Sequence, residues 1–268
     1  MTAELDSYIT FGRSLVDEAG AIALKYFRTT VEIENKKEDG NFDPVTRADR
    51  EVELFIRQRI SSKFPGHGIV GEEFGKVNSD NPTVWIIDPI DGTRTFMSGM
   101  TGWGILLGLM ENGQPIIGFM HQPYLEETWV GTPEGASMTR RGETRALTTS
   151  ATESLSDSVL YCTHPEIFRS KQRLSNFKNL ASRVKLMRYG GDCYAYCLLA
   201  MGFVDIIVED DLQPYDILPL VPIIEAAGGV VTDIEGNLPH QGGLVVTAAN
   251  KHLHDQALEY MRSGPEDM

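Results

Sequence analysis

The sequence predicts a layered α/β protein, and three observations carry the prediction. Two amphipathic helical stretches open the chain, short extended segments dominate up to about residue 150, and strands and helices alternate from there to the end. A chain of 268 residues can bury a sizeable core as one large domain or two closely packed ones. We place the boundary between an N-terminal α+β half, 1–150, and a C-terminal α/β half, 151–268, in the loop-like "TTSATESLSD".

In "ELDSYITFGRSLVDEAGAIALKYF", from about residue 4 to 27, Ile9, Leu15, Val16, Ala19, Ile22, Ala23 and Phe27 fall mostly at helical intervals. A polar, mobile stretch "ENKKEDGNFDP" is expected next. "TRADREVELFIRQRISSKF" then aligns Ala48, Val52, Phe55, Ile56 and Ile60 on one stripe, with Pro65 and Gly66 closing a second helix, antiparallel to the first if the connection folds back. "GIVGEE", "VWIID", "WGILLGLMENGQPIIGFMHQP" with Asn112-Gly113 as a hairpin signal, and "ETWVGT" read as strands of an antiparallel or mixed sheet. The second half supplies strand "SVLYCT", a basic helix near 165–182, strand "VKLMRY", helix "DCYAYCLLAMG" and strand "VDIIVE". It closes with helix "LVPIIEAAGG", strands "VVTD" and "GLVVTA", and a helix from Lys251.

Composition narrows the partners. Lys+Arg 24 against Asp+Glu 38 gives a net charge of −14, which repels nucleic-acid backbones and anionic membranes. No apolar run approaches the roughly 18 residues needed to cross a bilayer, and no signal-like segment opens the chain, so the expectation is a cytoplasmic protein. Cys162, Cys193 and Cys197 are an odd number without zinc-site spacing; the latter two read as core residues one helical turn apart.

Four acidic clusters carry the chemical signal. Glu72 and Glu73 follow a short apolar strand between Gly71 and Gly75; adjacent side chains on extended backbone diverge, so at most one serves a given site, and a solvated loop is the alternative. Asp88 and Asp91 end a buried strand, where Pro89 biases Asp88 toward extended backbone; a plain Asp-Gly turn or a helix cap is the alternative there. In "DPVTRAD", Asp43 to Asp49, Thr46 and Asp49 have the spacing of a capping box, a structural alternative to a functional role, and in "LQPYDILPL" the alternative for Asp216 is an N-cap with Pro219 in the first turn. Glu72, Asp88, Asp91 and Asp216 together are hard oxygen donors with no His or Cys cluster, a set that suits Mg²⁺ or Mn²⁺. A metal-loaded acidic site still takes an anion, and the chain has neither a G-x-x-x-x-G-K-[ST] loop nor a dinucleotide G-x-G-x-x-G after a strand.

In order along the chain, "DPVTRAD", "GEE", "WIIDPIDGTRTF" and "PYDILPLVPIIEAAGG" resemble the inositol monophosphatase family of metal-dependent phosphatases. Within it, "YGGDCYAYCLLAMGFVDIIVEDDLQPYDILPL" and "DPIDGTRTF" with Arg94 look closest to the histidinol-phosphate phosphatase branch; the inositol branch more usually has Trp where Tyr215 stands. The resemblance implies a five-layer α-β-α-β-α sandwich, often dimeric, binding two to three Mg²⁺ ions. It implies Glu72, Asp88 and the Ile90 carbonyl on one ion, Asp88, Asp91 and Asp216 on a second, and a looser third near Glu72. Thr93 with Asp49 would position or deprotonate the attacking water, and the Gly92 and Thr93 amides would meet phosphate. For a leaving alcohol carrying an ammonium and an imidazole, Asp192 and Glu209, with Arg94 nearby, are the candidate pocket residues; the structural alternatives are an N-cap for Asp192 and a surface acid for Glu209. Other readings to weigh are an inositol-1-phosphatase or broad sugar-phosphate phosphatase, a noncatalytic metal or phosphate-binding regulator, and a glycosidase-type use of two carboxylates.

Overall fold

The computed structural model describes residues 2–29, 33–35 and 44–263. Helices α1 (Thr2–Ala23) and α2 (Arg47–Lys63) pair antiparallel, because Tyr8 meets Phe64 at 5.2 Å between ring centres, Glu18 meets Arg59 and Tyr26 meets Glu51. α1 ends at Ala23, four residues before the expected stop, and Leu24 to Thr29 continue as turns. Between the helices, β1 (Ile33–Asn35) pairs with β2 (Pro44–Thr46); the rest of the stretch expected to be mobile lies outside the described residues, as does Asp43.

An eight-stranded sheet follows: β3 (Gly68–Gly71), β4 (Gly75–Val77), β5 (Thr83–Asp91), β6 (Gly104–Glu111), β7 (Gln114–Gln122), β8 (Glu127–Thr132), β9 (Gly135–Arg140) and β10 (Glu143–Ala146). Its order is β10-β9-β8-β7-β6-β5-β3-β4, antiparallel except for the β3/β5 pair, and the short helix α3 (Thr93–Met97) leaves the end of β5. The expected Asn112-Gly113 hairpin is present, with φ of 50° and 78° as a type I′ turn requires.

The second half supplies β11 (Val159–Cys162), α4 (Lys171–Ala181), β12 (Leu186–Tyr189), α5 (Asp192–Ala200), β13 (Ile206–Leu212), α6 (Pro214–Ile217), α7 (Val221–Ala226), β14 (Val230–Asp233), β15 (Gly243–Ala248) and α8 (Lys251–Arg262). Its five strands run in the order β12-β11-β13-β15-β14. The basic helix starts at Lys171 because Pro165 to Ile167 form a separate turn and Ser170 caps the new start by accepting from the Arg173 amide.

Strand periodicity sorts the core into layers. Ile105, Leu107 and Phe119 face α1 and α2, while Leu106 and Met120 face α5 and α7. Ile207 and Val245 close that middle layer from the other sheet, and Ile206, Val208, Leu244 and Val246 turn outward onto α4 and α8. The result is an α/β sandwich of helices, mixed sheet, helices, mixed sheet and helices.

Candidate active site

Asp88 and Asp91 are three residues apart, so a regular strand would place them on opposite faces. β5 avoids this with a bulge: Asp88 pairs with Leu106 and Asp91 with Gly104, so that Pro89 and Ile90 of β5 stand against Ile105 alone of β6. Pro89, which has no amide hydrogen to give the ladder, sits inside the bulge. The Ile90 amide donates to Asp88 Oδ1 at 3.1 Å, fixing that carboxylate. β13 carries a second bulge on the opposing sheet, where Glu209 pairs with Val245 and Leu212 with Gly243, and Asp211 has φ of 67°.

Between the bulges lies a cavity of about 280 Å³ whose lining includes Glu72, Asp91, Gly92, Thr93, Arg94, Asp192, Glu209 and Asp216. One ligand oxygen from each of Asp88, Asp91 and Asp216 lies within 4.8 Å of the others. Asp216 is not an N-cap: Gln213 is, and Asp216 stands at the third helical position of α6, accepting from the Gln213 amide at 2.7 Å in a capping box. Pro214, not Pro219, occupies the first turn of α6. Asp91 Oδ2 accepts from the Cys193 amide at 2.7 Å, tying β5 to the start of α5.

The acids crowd one another. Burial, then the charges of Glu72, Asp91 and Asp216, hold the Asp88 carboxyl well above the usual carboxylate range. Burial, then Asp216 and Asp192, do the same to Asp91. Burial also lifts Asp216 to about 7, although the Gln213 amide pulls the other way. An all-oxygen donor set with that much repulsion fits a hard divalent cation, which removes the repulsion and needs no softer ligand.

Asp49, 1% exposed on α2, accepts from the Thr93 hydroxyl at 3.3 Å; that hydroxyl also reaches the Ile90 carbonyl at 3.2 Å. Thr46, the other half of the expected capping box, has a side chain outside the described residues. Gly92 adopts φ of 83°, and a Cβ there would also press on Asp192 at 3.0–3.1 Å, so the turn into α3 requires glycine.

At the far wall, Asp192 is the first residue of α5 and Gly191 is its cap, so capping does not account for Asp192; its carboxylate accepts from Thr95 at 2.6 Å. Burial raises its pKa against the opposing pull of Thr95 and Arg94. Glu209, 4% exposed, is not a surface acid: its oxygens accept from the Thr163 amide at 2.8 Å and the Tyr196 hydroxyl at 3.0 Å. Its pKa is raised by burial and partly restored by those donors. Arg94 is exposed at the rim. Of the residues singled out from the sequence, Glu72, Asp91, Gly92, Thr93, Arg94, Asp192, Glu209 and Asp216 line this cavity, Asp88 lies against Asp91 and Asp216, and Asp49 lies against Thr93, whereas Glu73 is not among the lining residues. Sequence reasoning missed Thr95, Thr163, Tyr196 and the buried Glu53, whose partners come from other segments; the local signal for Glu53 was its four-residue spacing from Asp49 and Arg57 beside the apolar stripe of α2.

Comparison with known proteins finds relatives that span most of the chain. The model of the inositol monophosphatase family matches residues 4–266. A chloroplastic bifunctional phosphatase of Arabidopsis thaliana is 39% identical over 96% of this chain and 75% of its own length. A histidinol-phosphatase of Mycobacterium tuberculosis is 36% identical over 82% of this chain and 85% of its own. The solved structure of an inositol monophosphatase from Zymomonas mobilis superposes with a TM-score of 0.85 at 34% identity, covering 96% of this chain and 98% of that one.

Proposed function

Because this chain belongs to the inositol monophosphatase family and is a phosphatase of phosphoric monoesters, we propose that it is Mg²⁺-dependent and that its substrate is L-histidinol phosphate. The observation that carries the substrate reading is the position of Asp192 and Glu209: a half-buried and a buried acid on the same cavity as Glu72, Asp91 and Asp216. A leaving alcohol with an ammonium and an imidazole supplies the positive charge that such acids lack, whereas a neutral polyol leaves them uncompensated.

Glu72, Asp88, Asp91, Asp216 and the Ile90 carbonyl would hold two to three Mg²⁺ ions, or Mn²⁺ in their place. Bound there, the ions supply Lewis acidity to the phosphoryl oxygens and ease deprotonation of water. The chain's own residues do the rest. Thr93 donates to Asp49 and keeps its lone pairs for an incoming water, so the pair orients that water and gives its proton a path to the Asp49 carboxylate. The amides at the start of α3, at Gly92 and Thr93, have no helical partner and face the phosphoryl group. Asp192 and Glu209 seat the leaving alcohol, with Arg94 at the mouth. The Thr93–Asp49 pair favours turnover over a noncatalytic regulator, which would need only the metal acids. A place in histidine biosynthesis, a cytoplasmic location and a homodimer belong to the same reading; light scattering on the purified protein is expected to give twice the chain mass.

Initial rates of phosphate release from histidinol phosphate and inositol 1-phosphate, with Mg²⁺ and with EDTA, test the assignment. Histidinol phosphate is expected to win and EDTA to abolish release. A tenfold preference for inositol 1-phosphate would move the substrate to the second reading, to which the 34% identical Zymomonas mobilis relative already points. Release that persists in EDTA would return the carboxylates to a metal-free role. Asp192→Asn should lower kcat/KM at least tenfold more for histidinol phosphate than for an uncharged aryl phosphate, and equal losses would remove the charge argument.

A further inference from the structure

The turn that carries Glu72 is held from behind by α2. Glu53 is fully buried, and its Oε2 accepts from the Glu73 amide at 2.6 Å. Its Oε1 accepts from the Phe74 amide at 3.2 Å and from Arg57 Nε at 2.7 Å, and the Arg57 guanidinium also donates to the Gly75 carbonyl. On the strand side the Glu72 amide donates to the Ile87 carbonyl at 3.3 Å, so the backbone around Glu72 is fixed on both sides. Gly71 shows how closely the strut approaches: a Cβ there would stand 2.2 Å from Glu53 Oε1 and 2.8 Å from Arg57 Nη2. Asp49, Glu53 and Arg57 recur every four residues, so they form one polar stripe along a helix otherwise packed by Val52, Ile56 and Ile60.

A buried ion pair is a poor source of stability, since apolar side chains of similar volume often do as well. Its value here is positional. We propose that Glu53, locked by Arg57, is a positioning residue that presets the Glu72 carboxylate for a divalent cation, so that one face of α2 aims both Glu72 and Asp49 into the cavity. The proposal rests on the metal reading of the preceding section.

Calorimetric titration of Mg²⁺ into the full-length protein, alongside kcat, KM and melting temperature, tests it. Glu53→Gln keeps the volume but turns an NH₂ toward the converging donors. It is expected to raise the Mg²⁺ dissociation constant, and the Mg²⁺ concentration for half-maximal turnover, at least tenfold. KM for the phosphate ester at saturating Mg²⁺ should stay within twofold of wild type. Arg57→Lys should weaken Mg²⁺ binding about threefold, and it carries the test if Glu53→Gln does not fold. Val52→Ala, buried on the same helix away from the turn, should lower the melting temperature and leave Mg²⁺ binding within twofold. Wild-type Mg²⁺ affinity in Glu53→Gln and Arg57→Lys, or an equal loss in Val52→Ala, overturns the strut while the metal reading stands. A wild-type protein that takes up no Mg²⁺ overturns both.

Discussion

At Asp88, a carboxylate only 2% exposed faces the charges of Glu72, Asp91 and Asp216, a repulsion that either protonation or a bound cation relieves. Asp88→Asn is therefore expected to cut Mg²⁺-dependent phosphate release by at least a thousandfold and, with EDTA present, to raise the melting temperature. A metal-free melting temperature below wild type would show that repulsion is not what this site stores. The same repulsion sets a pH dependence. The folded-state pKa values of Asp88, Asp91 and Asp216 lie above their unfolded values, so their contribution to stability is complete below about pH 4 and is lost as pH rises through the folded values, to about 7 for Asp216. Thermal scans in EDTA should show the melting temperature falling between pH 4 and 8, and saturating Mg²⁺ should flatten the curve. If Asp216→Asn leaves the slope unchanged, the acids are not its origin. Asp88, Asp91 and Glu72 were legible in the sequence because their neighbours are distinctive, Pro89, Gly92 and Gly71, and Asp216 because it stands before Pro219 and Pro222. Glu53 was not, because only the fold brings the Glu73 and Phe74 amides to it.

Elements reach the cavity through glycine contacts and bulges. A Cβ on Gly118 of β7 would stand 1.9 Å from the Pro219 carbonyl oxygen, and one on Gly131 of β8 2.2–2.3 Å from the backbone of Pro222 and Ile223. The chain between α6 and α7 thus lies directly on the eight-stranded sheet, and that contact sets where α6 presents Asp216. Gly131→Ala is expected to cost about 3 kcal/mol, since backbone rather than a movable side chain blocks the methyl. Urea unfolding measures it, and a loss below about 1 kcal/mol would mean that α7 can shift at little cost. The period-2 and period-3.6 patterns marked most elements, but not the β9–β10 hairpin. β10 is fully exposed, so it has no apolar face, and its turn puts Arg141 and Gly142 at φ of 49° and 82°, positions that usually advertise themselves as Asn-Gly.

The cavity draws on both sheets: Glu72, Asp88 and Asp91 come from the eight-stranded sheet, Glu209 from the five-stranded one, and Asp216 and Asp192 from helices between them. The middle core is likewise shared, with Met120 and Trp129 packed among Leu199, Ile223 and Val245. A cation binding across such a site stabilises the whole molecule, by about 2.7 kcal/mol at a hundred times its dissociation constant. Urea unfolding in saturating Mg²⁺ should remain one cooperative transition displaced by about that amount. Two transitions, only one of them sensitive to Mg²⁺, would show that the site does not join the halves.

The sequence by itself determined the layer class, the buried strand that carries Asp88, though not its continuation to Asp91, and the family, because each is written in local spacing: apolar period, turn residues and carboxylates beside Gly or Pro. The tertiary structure alone decided that Asp88 and Asp91 share a face, that Asp192 and Glu209 border the cavity of Asp91 and Asp216, and that Glu53 supports the turn of Glu72. Those relations depend on a one-residue bulge and on contacts between segments 20 to more than 100 residues apart, where sequence spacing carries no information about distance.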